Sequence, residues 1–114
     1  MAVVKQECKF VYGILPAFVS RVPDLPPNIL GQTSGIFIKL SMEAWEDVLT
    51  HELVHVKQWY RTLFLHGLLQ SISRTYKIRC EIEAYKAQGL PDPQIVARIA
   101  WDLGVSEESV RNQL

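Results

Sequence analysis

The sequence predicts a single α+β domain, on three observations. Its first third is broken by proline and glycine and holds only short apolar runs rich in β-branched residues. From residue 41 onward it carries helical apolar periodicity with recognisable start and stop signals. One of the helical segments contains His51-Glu52-Leu53-Val54-His55, two histidines one turn apart with a glutamate between them. Strands gathered ahead of helices, rather than alternating with them, are the order of an α+β fold.

Residues 1–34 contain Gly13, Pro16, Pro23, Pro26, Pro27 and Gly31, a punctuation that no long helix survives. Short strands are expected around Lys9–Leu15 and Val19–Val22. Gly35-Ile36-Phe37-Ile38-Lys39-Leu40 follows the turn-like Gly-Gln-Thr-Ser and reads as a strand over 36–40. Alternation turns Ile36, Ile38 and Leu40 toward the helices and Phe37 and Lys39 the other way. Ser41 is placed to cap a helix from about Met42 to about Tyr60, with Glu43 in its first turn. Leu63–Ser73 is helical in part, with a break near His66-Gly67. Arg74–Gln88 is a helix closed by Gly89, with Pro91 beyond. Asp92–Leu103, the turn Gly104-Val105-Ser106 and a short helix Glu107–Gln113 form a C-terminal helical hairpin.

Composition narrows the function classes. The 114 residues suit one domain, and 48% hydrophobic residues can fill a core. Twelve Lys+Arg against twelve Asp+Glu give no net charge, so the basic excess of a dedicated nucleic-acid or membrane-surface protein is missing. The N-terminus lacks a charged region followed by an apolar one, so no signal peptide is expected. The apolar stretch Leu63–Ile72 is interrupted by His66, Gln70 and Ser71 and is too short to span a bilayer. Cys8 and Cys80 then read as free thiols of a cytoplasmic protein.

On a helical wheel of about 100° per residue, Trp45, Val48, Leu49, Glu52, Leu53, Val56, Trp59 and Tyr60 share one arc with Glu52 at its middle. His51 and His55 stand at the edge of that arc. Glu46, Asp47, Thr50, Lys57 and Gln58 fill most of the polar remainder, broken only by Val54. A carboxylate at the centre of an apolar face is costly unless something satisfies it. A metal ion held by the two histidines, with a water beside it, would do so.

A catalytic zinc needs a third protein ligand. One arrangement takes a histidine six residues after the second, but Arg61 stands there, and Gln58 stands where its preceding glycine would be. His66 reads as a loop or helix-end histidine. The other arrangement takes a glutamate from a later helix, and Arg79-Cys80-Glu81-Ile82-Glu83-Ala84-Tyr85 fits it. Glu81 and Tyr85 share a face with Ile78 and Ile82, whereas Glu83 points about 200° away and reads as solvated. Ala84 would let this helix approach the first closely.

His51-Glu52-Leu53-Val54-His55-Val56-Lys57-Gln58-Trp59 followed by Glu81-Ile82-Glu83-Ala84-Tyr85 resembles the zinc metallopeptidases of the gluzincin type, in particular small zincin-like domains of bacterial, phage and prophage proteins. The resemblance covers roughly residues 30–88, leaving about 92–114 as appended helices of one domain spanning 1–114. It implies a minimal zincin-like fold, in which a small sheet packs on the metal-bearing helix and the glutamate helix. It implies one zinc ion held by His51, His55 and Glu81, with Glu52 as general base. It also implies a peptide or protein substrate held along an edge strand, here Ile36, Phe37, Ile38, Lys39 and Leu40. Tyr85 stands where many such peptidases have an aspartate that orients a ligand histidine from behind, and a tyrosine is the weaker acceptor.

The expected function is therefore zinc-dependent hydrolysis of peptide bonds. The rival is a catalytically inactive zincin-like module for binding or assembly. A third reading comes from residues 97–111, whose Ala97, Leu103-Gly104-Val105-Ser106 and Val110-Arg111 have the shape of a helix-turn-helix. Its would-be reading helix begins Ser106-Glu107-Glu108, which repels phosphate, so no nucleic-acid partner is expected. The cluster Leu63, Phe64, Leu65, Leu68, Leu69 and Ile72 is read as core, with an exposed partner-binding patch as the alternative. Trp45, Trp59 and Trp101 are expected in or at the edge of the core.

Overall fold

The computed structural model describes residues 5–62 and 65–114. Strands come first and helices after: β1 (Lys5–Val11), β2 (Leu15–Val22), β3 (Gly31–Ser34), β4 (Phe37–Ser41), then α1 (Glu46–Arg61), α2 (His66–Ile72), α3 (Arg74–Gln88), α4 (Asp92–Leu103) and α5 (Glu107–Arg111). The fold is α+β, as the order of segments predicts. The sheet runs β1-β2-β4-β3, antiparallel except for the β2–β4 pair.

The first predicted strand ran through what is a turn. Tyr12 and Gly13 both take left-handed backbone, φ 52° and 79°, and Ile14 N donates to Val11 O across them. Two such residues in succession make the turn that matches the twist of a hairpin, so β1 stops at Val11 and the chain returns as β2. Gly31-Gln32-Thr33-Ser34, read from sequence as a turn, is β3. It has no apolar residue to announce it, and it becomes a strand because β4 supplies the ladder, from Gly31 opposite Leu40 to Ser34 opposite Phe37.

That extra strand corrects the expected substrate edge. The predicted edge, Ile36 to Leu40, lies largely within β4, which has β2 on one side and β3 on the other. Its main-chain groups serve both neighbours, and the sheet edge on this side belongs to β3. The facing of these residues is as expected. Ile38 and Leu40 are buried and Ile36 packs beside them, while Phe37 is exposed and stacks on Phe18 at 5.6 Å between ring centroids.

Val11, Ala17, Val19, Ile38 and Leu40 of the inner sheet face form one core with Ala44 and with Val48, Leu49 and Val56 of α1. Tyr60 closes it by donating its hydroxyl proton to Pro16 O at 2.7 Å. α1 begins at Glu46, not Met42, because Ser41 still belongs to β4. Its hydroxyl accepts from Glu43 N at 3.3 Å, and Arg21 Nη1 donates to the Ser41 and Ala44 carbonyls at 3.1 and 2.8 Å. The link 42–45 is thus pinned as a turn.

α1 is buried on two faces. One carries Val48, Leu49 and Val56 to the sheet; the other turns His51, His55 and Gln58 toward α3. Val54, the apparent break in the polar face, is buried as well. A second core joins Ile78, Ile82 and Tyr85 of α3 to Ile95, Val96 and Ile99 of α4 and Val110 of α5. Gly89 and Gly104, at φ 95° and 64°, end α3 and α4 in the left-handed conformation that leucine or alanine would resist. α5 ends at Arg111 rather than Gln113, its start capped by the Ser106 hydroxyl, which accepts from Ser109 N.

Two expectations about apolar residues are corrected. Trp45 and Trp101 are 80% and 88% exposed, not core. Trp45 precedes the first turn of α1, and Trp101 lies on the side of α4 away from Ile95, Val96 and Ile99. Leu65, Leu68 and Ile72 are likewise exposed, because α2 is short and its one buried residue is His66. Leu63 and Phe64 of the same predicted cluster lie outside the described residues. Both cysteines are unpaired, Cys8 exposed and Cys80 buried. Among the described residues, no helix is long and apolar enough to cross a membrane.

Candidate metal centre

Helical spacing puts His51 and His55 one above the other on α1, and both rings turn their Nε2 atoms toward α3. α3 crosses there and brings Glu81 to them. Glu81 Oε1 lies 2.9 Å from His55 Nε2, and Oε2 lies 3.4 Å from His51 Nε2. The two Nε2 atoms are 3.3 Å apart. One ligand atom from each residue falls within 4.8 Å of the others. A tetrahedral zinc shell with bonds of about 2.0–2.1 Å separates neighbouring ligand atoms by about 3.3 Å. Two imidazole nitrogens and one carboxylate oxygen at these separations are a donor set that fits zinc.

Electrostatics inside the cluster are strongly coupled. Burial opposes a charge on His55, but the hydrogen bond and charge of Glu81, aided by Gln58, outweigh it and raise its pKa to about 9. Burial likewise opposes the Glu81 carboxylate, and the hydrogen bonds from His51 and His55 outweigh it, pulling its pKa down to about 2. With any metal removed, the cluster should therefore stabilise the fold over a defined window. The depressed Glu81 pKa contributes above its ordinary value of 4.5 and is lost as pH falls toward 2; the raised His55 pKa contributes below 6.5 and is lost as pH rises toward 9. Thermal melts of chelator-treated protein should peak between these two ordinary values, and Glu81→Gln should flatten the profile. A wild-type midpoint that climbs steadily from 6.5 to 9 would contradict this coupling.

Glu52 sits beside the cluster and is not one of its ligand atoms. It is buried, and its Oε1 accepts a 2.7 Å hydrogen bond from Thr33 Oγ1 of β3. β3 can lie this close because residue 31 is glycine. A Cβ on Gly31 would stand 3.0 Å from Glu52 Cγ and 3.2 Å from Oε2. The costly carboxylate on the apolar arc is thus satisfied in part by a threonine that no pattern in its own segment singles out.

Three more residues were missed or misplaced from sequence. Gln58, on the polar side of the wheel, is 2% exposed and hydrogen-bonds the other nitrogen of His55, Nδ1, at 2.9 Å. The only sequence signal was its position three residues after His55, on the same helical face. Glu83 is half-exposed, as expected, but not merely solvated. Its Oε1 accepts from Arg61 Nη2 at 2.6 Å and from Gln58 Nε2 at 2.9 Å. His66 does stand at a helix end, as expected, but it is buried. Its ring lies 6.5 Å from that of His55, and its Nδ1 is 2.8 Å from the Tyr76 hydroxyl.

Tyr85 lies against the cluster without holding a ligand through a hydrogen bond. Its ring packs edge-on to that of His51 at 4.3 Å, and its hydroxyl donates to Asp102 Oδ2 at 3.2 Å. His51 Nδ1 is buried with no hydrogen-bond partner among the described residues. The cluster lines an open cleft of about 1200 Å³, whose lining also includes Gly31–Ser34 of β3 and Tyr85, Arg98 and Asp102.

Fold and site together define a class: an α+β protein whose α1 and α3 present a His51–His55–Glu81 group able to hold one metal ion, with a buried glutamate beside it. No protein-family model, curated protein or solved structure matches this chain.

Proposed function

We propose that the protein is a zinc-dependent peptidase, with His51, His55 and Glu81 as zinc ligands and Glu52 as general base. The observation that carries the reading is the placement of Glu52. It is buried, held by Thr33, next to His51 on α1, and lines the same open cleft as the three candidate ligands. A zinc ion held by His51, His55 and Glu81 would supply Lewis acidity toward a carbonyl and a bound water. Glu52 accepts the water's proton and delivers it to the leaving amine. Thr33, donating to one carboxylate oxygen, keeps the Glu52 side chain in place for both transfers. The substrate lies along β3, the strand at the sheet edge beside the cleft, pairing through main-chain groups as an added strand.

One observation favours the rival, a non-catalytic module in which zinc stabilises a binding or assembly surface. The Tyr85 hydroxyl is engaged by Asp102, and His51 Nδ1 has no partner among the described residues, so one ligand histidine lacks the usual support from behind. The deciding experiment pairs metal analysis with a broad peptide library. The peptidase reading expects about one zinc per chain and cleavage that disappears on chelation and returns with zinc. Zinc bound at that ratio with no cleavage across the library would favour the module.

A further inference from the structure

The geometry points to Gln58 as a positioning residue that presets His55 as a metal ligand, an inference that rests on the zinc reading above. The side-chain amide of Gln58 can be oriented without ambiguity. Its Nε2 lies 2.9 Å from the Cys80 carbonyl oxygen and 2.9 Å from Glu83 Oε1. A backbone carbonyl and a carboxylate both only accept, so the end facing them must be the NH2 group. The carbonyl end, Oε1, therefore faces His55 Nδ1 at 2.9 Å. An amide oxygen cannot donate, so Nδ1 carries the proton. Nε2, which hydrogen-bonds Glu81 in the metal-free chain, is then the nitrogen left to give up its proton to a metal, and its freed lone pair would face Glu81 and His51, the form in which an imidazole binds a metal.

The arrangement is built rather than incidental. Gln58 is 2% exposed and its amide is engaged on three sides, by α1 itself, by the α3 backbone and by Glu83. Glu83 is in turn fixed by Arg61, which lies one turn beyond Gln58 on α1. Arg61, Glu83 and Gln58 thus form a brace across the α1–α3 contact that ends on His55. His51 has no such brace: its Nδ1 has no hydrogen-bond partner among the described residues, and its ring packs edge-on against Tyr85 at 4.3 Å and His55 at 5.0 Å. His55 is the preset ligand of the pair, and His51 the one that adapts.

The test uses Zn2+ alone, with affinity measured by competition against a chelating dye. The His55 ring protons are followed by long-range 1H–15N NMR of the zinc-loaded chain. In wild type, His55 should show an Nδ1–H proton protected from solvent exchange and an Nε2 shifted by metal. Gln58→Met keeps the length of the side chain and removes both amide functions; it should weaken zinc binding about 10–100-fold, the usual cost of losing a partner behind a ligand. Glu83→Ala alters a half-exposed residue and should leave the fold intact. It should cost a few-fold in affinity and speed exchange of the same proton, so the brace can be judged even if Gln58→Met folds poorly. Wild type that takes up no zinc would overturn the metal reading, and this inference with it. Zinc-binding wild type with the His55 proton on Nε2, or with affinity and exchange unmoved in both variants, would overturn the role of Gln58 alone.

Discussion

Glu52→Gln is expected to retain its zinc and its fold while losing peptide cleavage by roughly two to four orders of magnitude, the usual contribution of a general base. Each half of that expectation has a structural reason. Glu52 is not among the three ligand atoms, so metal affinity should be within a few-fold of wild type. The Thr33 hydroxyl that donates to Glu52 Oε1 can donate equally to a glutamine carbonyl, and a neutral amide is easier to bury than a carboxylate. The variant loses only the capacity to accept a proton. Zinc content, a thermal melt and cleavage under single-turnover conditions should be read on the same sample. Cleavage within about tenfold of wild type would mean that another group is the base. A zinc-loaded wild type as inert as the variant across a broad library would favour the binding module.

Glu81→Ala and His51→Ala should lose zinc and activity together. Structural zinc sites hold their ion with about 10–16 kcal/mol in all, so one ligand of three or four is worth roughly two to four orders of magnitude in affinity. Glu81 carries a second burden in the metal-free chain, because its carboxylate faces both Nε2 atoms, at 2.9 and 3.4 Å. Its removal leaves two buried imidazoles opposite each other with no anion between them. Glu83→Ala is the contrast. Glu83 lies two residues away on α3 and bonds Gln58 and Arg61, so its loss should weaken zinc binding only a few-fold. Zinc affinity that survives Glu81→Ala and vanishes in Glu83→Ala would reverse the ligand assignment. Indifference to both would remove the basis for the gluzincin-like reading.

Much of this site was legible because helical geometry is local. The four-residue spacing of His51 and His55 fixes a shared face whatever packs against it, and the apolar arc around Glu52 marks that carboxylate as one needing a partner. The same periodicity separates Glu81 from Glu83 on α3, and the capping glycines Gly89 and Gly104 mark the helix ends. The α+β class followed from strand-like segments preceding helical ones.

Tertiary structure decided what depends on the neighbours of an element. A wheel drawn for a helix with one buried side placed Gln58 in solvent. α1 is covered by the sheet on one face and by α3 on the other, so Gln58 is buried against α3 and becomes the partner of His55. Glu83 was read as solvated for the same reason; only the α1–α3 contact gives it Gln58 and Arg61. Gly31-Gln32-Thr33-Ser34 carries no strand pattern and is a strand only because β4 pairs with it. That pairing moved the sheet edge from β4 to β3 and put the Thr33 hydroxyl on Glu52. Residue spacing determines which side chains share a face; contacts between residues distant along the chain determine what that face meets.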